Sequence, residues 1–189
     1  HNTSNKAKTL KTSYGSTIQV SGGTYGWKIN QAAETEALAA IIASGESTTR
    51  EPEYSQKAAS HSGNDYGNTY VEINLTAQHL YFYANGKLLV ESDFVSGNAA
   101  KGWSTPAGAY SITYKQRNAT LKGQGYATPV SYWMPFNGGI GLHDAKWRSK
   151  FGGTIYQNGG SHGCVNLPPE KAAALYDLVY TGIPVICYN

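Results

Sequence analysis

The chain has 189 residues, a formal net charge of +3, a pI near 8.7 and a mean hydropathy of −0.42. That length suits one large or two small domains, and no run approaches the roughly 18 apolar residues a membrane-spanning helix needs. Lys and Arg are scattered without a basic stripe, which argues against nucleic-acid binding, while 22 glycines and 15 tyrosines among few charges suit a β-rich, turn-rich protein with a carbohydrate- or peptide-contacting surface. The chain begins at His1 without a methionine or an export signal, so it reads as a fragment whose parent carries any membrane anchor outside it.

Residues 1 to about 11 are polar and read as a frayed end. Thr17–Val20 and Tyr25–Ile29 alternate like strands around Gly22-Gly23, the pattern of a hairpin. Asn30 is an N-cap for a helix with Glu34 and Glu36 early and Gly45 as its stop. Leu38, Ile41 and Ile42 fall on one helical face, which should pack on that hairpin. Residues 60–68 have linker composition, dividing a small α+β unit (1–66) from a second domain (67–189).

From Tyr70 the pattern is that of strands. Val71, Ile73 and Leu75 alternate with Glu72 and Asn74, and His79–Tyr83 and Lys87–Val90 flank an Asn85-Gly86 hairpin signal. Thr105–Tyr110 is a Pro/Gly turn leading into a strand to Lys115. The stretch 117–129 is polar and glycine-containing, and 132–136 is densely aromatic, so Tyr132, Trp133 and Met134 either line a pocket or pack a core beneath a loop. Pro168-Pro169-Glu170 opens a helix with Ala172, Leu175, Tyr176 and Val179 on one face and Gly182 beyond it, and 183–188 is a closing apolar strand.

The chemistry lies in Ser161-His162-Gly163-Cys164-Val165-Asn166 and in His143, which precedes Asp144. A cysteine is a nucleophile as thiolate, so it needs a neighbour that takes its proton or lowers its pKa. His143, arriving from a neighbouring strand, and His162, two residues away on the same face of an extended segment, are the candidates. Gly163 leaves room for a substrate carbonyl, and its N–H with that of Cys164 could face an oxyanion. Arg148, between the two segments, is able to hold a carboxylate bidentately. A catalytic thiol of lowered pKa would label at pH 6.

This arrangement resembles the signature of the L,D-transpeptidases with a YkuD-type catalytic domain: a histidine, a spacer of narrow range, Ser or Thr, His-Gly-Cys, an apolar residue, and Asn or Arg. The strand, Asn-Gly hairpin and Thr-Pro-x-Gly-x-aromatic turn extend the resemblance from about Asn68 to Asn189. It implies a mainly β fold, a β-sandwich catalytic domain with a short helix near the C-terminus. Residues 14–60 resemble, less specifically, part of the peptidoglycan-binding module that precedes this domain in many Gram-positive members.

The resemblance implies Cys164 as nucleophile, His143 as base, the Asp144 carbonyl as its orienting group, and the Gly163–Cys164 N–H groups as oxyanion site. Ser161, His162 and Asn166 would position the thiolate or contact substrate, and Tyr132, Trp133 and Met134 would belong to a flap over it. The implied reaction expels D-alanine from a tetrapeptide stem of peptidoglycan, passes through a thioester and forms a cross-link, without organic cofactor or metal. Carbapenem β-lactams would acylate the same cysteine, and the site of action would be the cell wall or the outer face of the membrane. Other readings are interception by water (an L,D-carboxypeptidase or endopeptidase), a non-catalytic wall-binding protein, zinc held by His143, His162 and Cys164, and a structural Cys164–Cys187 disulfide.

Overall fold

The structure is a computed structural model that describes residues 2–123 and 125–189. The N-terminal part consists of β1 (Lys8–Lys11), β2 (Thr17–Val20), β3 (Lys28–Ile29), α1 (Gln31–Ser44) and β4 (Tyr54–Gln56). There follow β5 (Tyr70–Asn74), β6 (His79–Ala84), β7 (Lys87–Asp93), β8 (Gly108–Ser111), β9 (Gln116–Gly123), β10 (Tyr126–Asn137), β11 (Ile140–Asp144), α2 (Ile155–Gly159), β12 (Val165–Leu167), α3 (Pro169–Leu178) and β13 (Pro184–Tyr188).

Period-2 alternation gives the first layer its buried apolar face, but Glu72, which the alternation places on a wet face, is fully buried too, held by Ser13 and Tyr188. Val71 and Ile73 of β5 pair across the ladder with Phe82 and Leu80 of β6, and all four are buried. At the β6–β7 turn both Asn85 (φ 51°) and Gly86 (φ 76°) take the left-handed conformation that a two-residue hairpin with the native strand twist requires. The five-stranded sheet runs β7-β6-β5-β13-β8, and a four-stranded sheet runs β12-β11-β10-β9. One core joins them, with Val71, Phe82, Ile112 and Val185 against Met134, Phe136, Leu142 and Leu167, and Ala172 and Leu175 of α3 close it. The mainly β sandwich-like fold with a short helix near the C-terminus is therefore what forms.

Residues 117–129, read from sequence as polar and glycine-containing, contribute to a β9–β10 hairpin; position 124 lies outside the described residues. The strand expected to run to Lys115 stops at Ser111. Helix α3 ends at Leu178, before Gly182.

The N-terminal part departs further from expectation. Thr17–Val20 pairs not with 25–29 but with Lys8–Lys11, the segment read as frayed. Lys8 explains the difference: its ammonium is buried and meets the Asp65 carboxylate and the Thr3 carbonyl, each at 2.6 Å, so a polar sequence is held by paired charge. Gly22–Tyr25 instead adds to β8, the edge of the five-stranded sheet. Tyr25 N–H donates to the Ala109 carbonyl at 2.9 Å and Ala109 N–H to that of Gly22 at 3.0 Å.

A Cβ on Gly23 would fall 2.0 Å from the Ala109 carbonyl, so only glycine permits this approach. Leu10, Val20, Tyr25 and Tyr66 pack with Ile186 and Tyr188 of β13, and Asp65 and Tyr66 are thereby buried inside the segment that reads as a linker. Helix α1 has the predicted cap, Asn30 Oδ1 accepting from Ala33 N–H, and the predicted Gly45 stop in left-handed conformation. It buries no residue, however, and Leu38 and Ile42 stay exposed, because the hairpin they were expected to cover lies elsewhere.

Several buried hydroxyl and thiol groups make the fold sensitive to alkali. Burial pushes the Tyr25 phenol up to about 12, and burial also raises Tyr70, Tyr110, Tyr188 and the fully buried Cys187. Groups whose folded pKa is raised contribute stability that is complete below their unfolded pKa, about 8.5 for Cys and 10 for Tyr, and is lost above it. The melting temperature is therefore expected to hold level to about pH 8 and to fall steeply beyond pH 10, which a thermal-denaturation series from pH 6 to 11 measures.

Candidate active site

Strand β12 lies parallel to β11, with Leu142 opposite Val165 and His143 opposite Asn166. This pairing carries the 143 segment to the 161–166 segment, and Cys164 sits just before β12, at the mouth of a cleft of about 260 Å³. The turn before it is pinned at several points. Ser161 Oγ donates to the Cys164 carbonyl at 2.6 Å and accepts the Gly163 N–H at 3.0 Å. Thr105 Oγ donates to the Gly163 carbonyl at 2.6 Å and accepts Gly97 N–H at 3.0 Å. Gly163 has φ +126°, a conformation that a side chain would strain.

His143 is 3% exposed, and its Nδ1 lies 2.9 Å from the Asp144 carbonyl. A carbonyl only accepts, so Nδ1 carries the proton and Nε2 keeps its lone pair. The rings of Trp133 and Trp147 flank the imidazole with centroids at 6.0 and 5.9 Å. Burial, offset in part by the Asp144 carbonyl, lowers the His143 pKa below its ordinary value. The charge of the Asp144 carboxylate also opposes that lowering, while its Oδ1 accepts N–H groups of Ser131 and Tyr132 at 2.7 and 2.8 Å and so ties β11 to β10.

The Cys164 side chain is partly buried against Ala119, Val130 and Trp133. Burial raises its pKa, with a smaller lowering from a hydrogen bond with the Gly141 backbone. Its thiol donates to the Gly139 carbonyl at 3.6 Å, and no hydrogen bond joins it to His143 among the described residues. Desolvation thus shifts both groups toward their neutral forms, the thiol up and the imidazole down, the opposite direction to the lowered thiol pKa that the sequence pattern predicts. Cys164 and Cys187 are both free, and Cys187 is fully buried on β13, which overturns the disulfide.

The sequence model of the YkuD L,D-transpeptidase catalytic domain matches residues 68–187. The chain belongs to the L,D-transpeptidase family. An Enterococcus faecium L,D-transpeptidase carrying a cysteine-to-serine substitution is 37% identical, with a TM-score of 0.86 over 100% of this chain and 76% of that one. The E. faecium L,D-transpeptidase catalytic domain acylated by ertapenem is 41% identical over 65% of this chain and 98% of that one, with a TM-score of 0.59. An L,D-transpeptidase from Mycobacterium smegmatis is 25% identical, with a TM-score of 0.56 over 65% of this chain and 59% of that one. No curated protein sequence matches the chain.

The L,D-transpeptidase cleft gathers His143, Arg148, Ser161, His162, Cys164 and Asn166 from the residues singled out by sequence. His162 is exposed and lies in a turn, not on an extended strand beside Cys164. Its ring is sandwiched between Trp103 and Tyr126, at centroid distances of 4.1 and 4.7 Å. Gly163 N–H is engaged by Ser161 Oγ, which leaves the Cys164 N–H as the free donor of the pair among the described residues.

Tyr132, Trp133 and Met134 do not line the cleft. Met134 is fully buried in the sandwich core and Tyr132 packs on Tyr176, whereas Trp133, on the opposite face of β10, backs His143 and Cys164 from beneath. The walls come instead from Leu121, Tyr126, Thr128 and Trp147. Leu121, Tyr126 and Thr128 stand on the β9–β10 hairpin, whose turn signal, Gly123 and Gly125, is present in the sequence but lacks the flanking apolar alternation.

Proposed function

We propose that the L,D-transpeptidase reaction runs through Cys164 and His143. The observation that carries this reading is the orientation of His143: with Nδ1 spent on the Asp144 carbonyl, Nε2 is a free base in the cleft that holds the Cys164 thiol. Cys164 Sγ attacks the carbonyl of the L,D-peptide bond in a tetrapeptide stem while His143 Nε2 takes the thiol proton. The Cys164 N–H faces the oxyanion. Collapse breaks the C–N bond, the departing D-alanine amine takes the proton from His143, and a thioester remains. The amine of a second stem then attacks the thioester, gives a proton to His143, and the cross-link forms as the thiol is restored. A neutral resting pair makes proton transfer concurrent with attack.

Arg148 is read as the group that holds a substrate carboxylate. It lines the cleft and uses Nη2 on the Gly159 carbonyl at 2.9 Å, while its buried Nε has no partner among the described residues. Asn166, 2% exposed with Oδ1 unpartnered, is read as an acceptor for a substrate N–H. Carbapenems are expected to acylate Cys164, a reading supported by the ertapenem-acylated relative. Residues 1–66 are read as part of a wall-facing module fixed to the 67–189 domain. Peptidoglycan as substrate supports an extracytoplasmic location, with any membrane anchor in the parent chain. Among the described residues no helix is long and apolar enough to cross a membrane.

Incubation with a disaccharide-tetrapeptide tests the reaction. Mass analysis is expected to show cross-linked dimer and free D-alanine. Tripeptide without dimer would assign the acceptor role to water instead.

A further inference from the structure

A cavity of about 500 Å³ lies where the β1–β2 hairpin meets the start of β5 and the end of β6, and it shares no residue with the cleft. Three tyrosines line it: Tyr66 meets Tyr70 edge to face, with centroids at 4.9 Å and planes at 65°, and Tyr70 stacks on Tyr83 at 5.3 Å and 28°. Buried polar groups hold this wall in place. Glu72, fully buried, accepts from Ser13 N–H at 2.9 Å, Ser13 Oγ at 2.7 Å and Tyr188 Oη at 2.6 Å. Ser13 Oγ in turn meets Tyr83 Oη at 2.7 Å, and Tyr66 Oη donates to the Thr9 carbonyl at 2.9 Å. The wall is therefore preorganised, so ligand binding need not order it.

The rest of the lining is polar. The exposed side chains of Lys11 and Asn68 have no partner among the described residues, and Gly67 and Gly86 keep the edges low. The Tyr70 hydroxyl, kept protonated because burial raises its pKa, likewise has no partner among them. Aromatic rings together with amide, hydroxyl and ammonium donors, with no carboxylate in the lining, match a neutral ligand with C–H faces and an edge of hydroxyl and acetamido oxygens.

We propose that this groove binds N-acetylhexosamine units of a β-linked glycan. The proposal rests on the peptidoglycan reading of the cleft for its choice of sugar, and on the groove alone for its geometry. A glycan strand seated there leaves the cleft open, and it would raise the effective concentration of stems attached to the same strand.

The test titrates chitotetraose, with cellotetraose as the control lacking acetamido groups, into the full chain by calorimetry and by NMR of the tyrosine rings. Chitotetraose is expected to shift Tyr66, Tyr70 and Tyr83. Lys11→Ala, Asn68→Ala and the groove-filling Asn68→Trp, all at exposed positions, are expected to weaken binding by about fivefold or more. They should also reduce retention on isolated sacculi while leaving the cross-linking of soluble disaccharide-tetrapeptide unchanged. No tyrosine shift, equal binding of cellotetraose, unchanged affinity in all three variants, or occupation of the groove by sugar-free stem peptide would overturn the proposal. Sugar binding without dimer formation would uphold the groove and overturn the cleft's reaction, so the two readings fail separately.

Discussion

Cys164→Ala is expected to abolish both dimer formation and the carbapenem adduct, a loss of about 10⁴-fold or more in turnover. No other nucleophile is placed to substitute. Cys187 is sealed in the core with its thiol pushed far up, and Ser161 Oγ is committed to the Cys164 carbonyl. The substitution should spare the fold, because the side chain is only partly buried and its hydrogen bond to the Gly139 carbonyl is long at 3.6 Å. A stability change within about 1 kcal/mol is expected. Intact-mass spectrometry after carbapenem exposure, together with a thermal melt, checks both statements. An adduct persisting on the alanine variant would end the assignment of Cys164.

His143→Ala should lower the acylation rate by about 10²- to 10⁴-fold and change the shape of its pH dependence. In the wild type the base is neutral imidazole, and burial has moved its pKa below the ordinary value of 6.5, so the base stays competent into mildly acidic solution. The thiol, raised by burial, stays protonated at neutral pH and needs that base. Acylation is therefore expected to stay level from pH 8 down past pH 6.5 before it declines. In the alanine variant only thiolate formed by solvent reacts, so the rate should climb tenfold per pH unit through neutrality and beyond the ordinary thiol range. Stopped-flow carbapenem acylation from pH 5 to 10 measures both profiles. A level rate in the variant, or iodoacetamide labelling of the wild type at pH 6 as fast as at pH 9, would contradict the neutral pair.

Local patterns in the sequence were enough for the β5–β6–β7 meander, the Asn85-Gly86 turn, the caps of α1 and the buried face of α3, because each is set by period, by capping chemistry or by φ at one residue. The Ser161–Asn166 motif and His143 were legible for a related reason: chemistry restricts which residue types serve at those positions, and the family pattern joins them.

What failed were statements about neighbours. Lys8–Lys11 looks frayed until Asp65 supplies its countercharge from 57 residues away, and Leu38 and Ile42 look like a packing face until the hairpin turns out to add to β8.

The sequence by itself determined the family, the nucleophile and histidine candidates and most local elements, since these depend on residue type and short spacing. Only the tertiary structure decided the direction in which burial shifts the pair, the cleft walls and the seating of the N-terminal hairpin. Parallel pairing of β11 with β12 brings His143 and Cys164 to one cleft, and packing against Trp133 and the β9–β10 hairpin removes water from both. Desolvation is a property of what surrounds a group, and those surroundings are assembled by contacts between distant segments that no local pattern specifies.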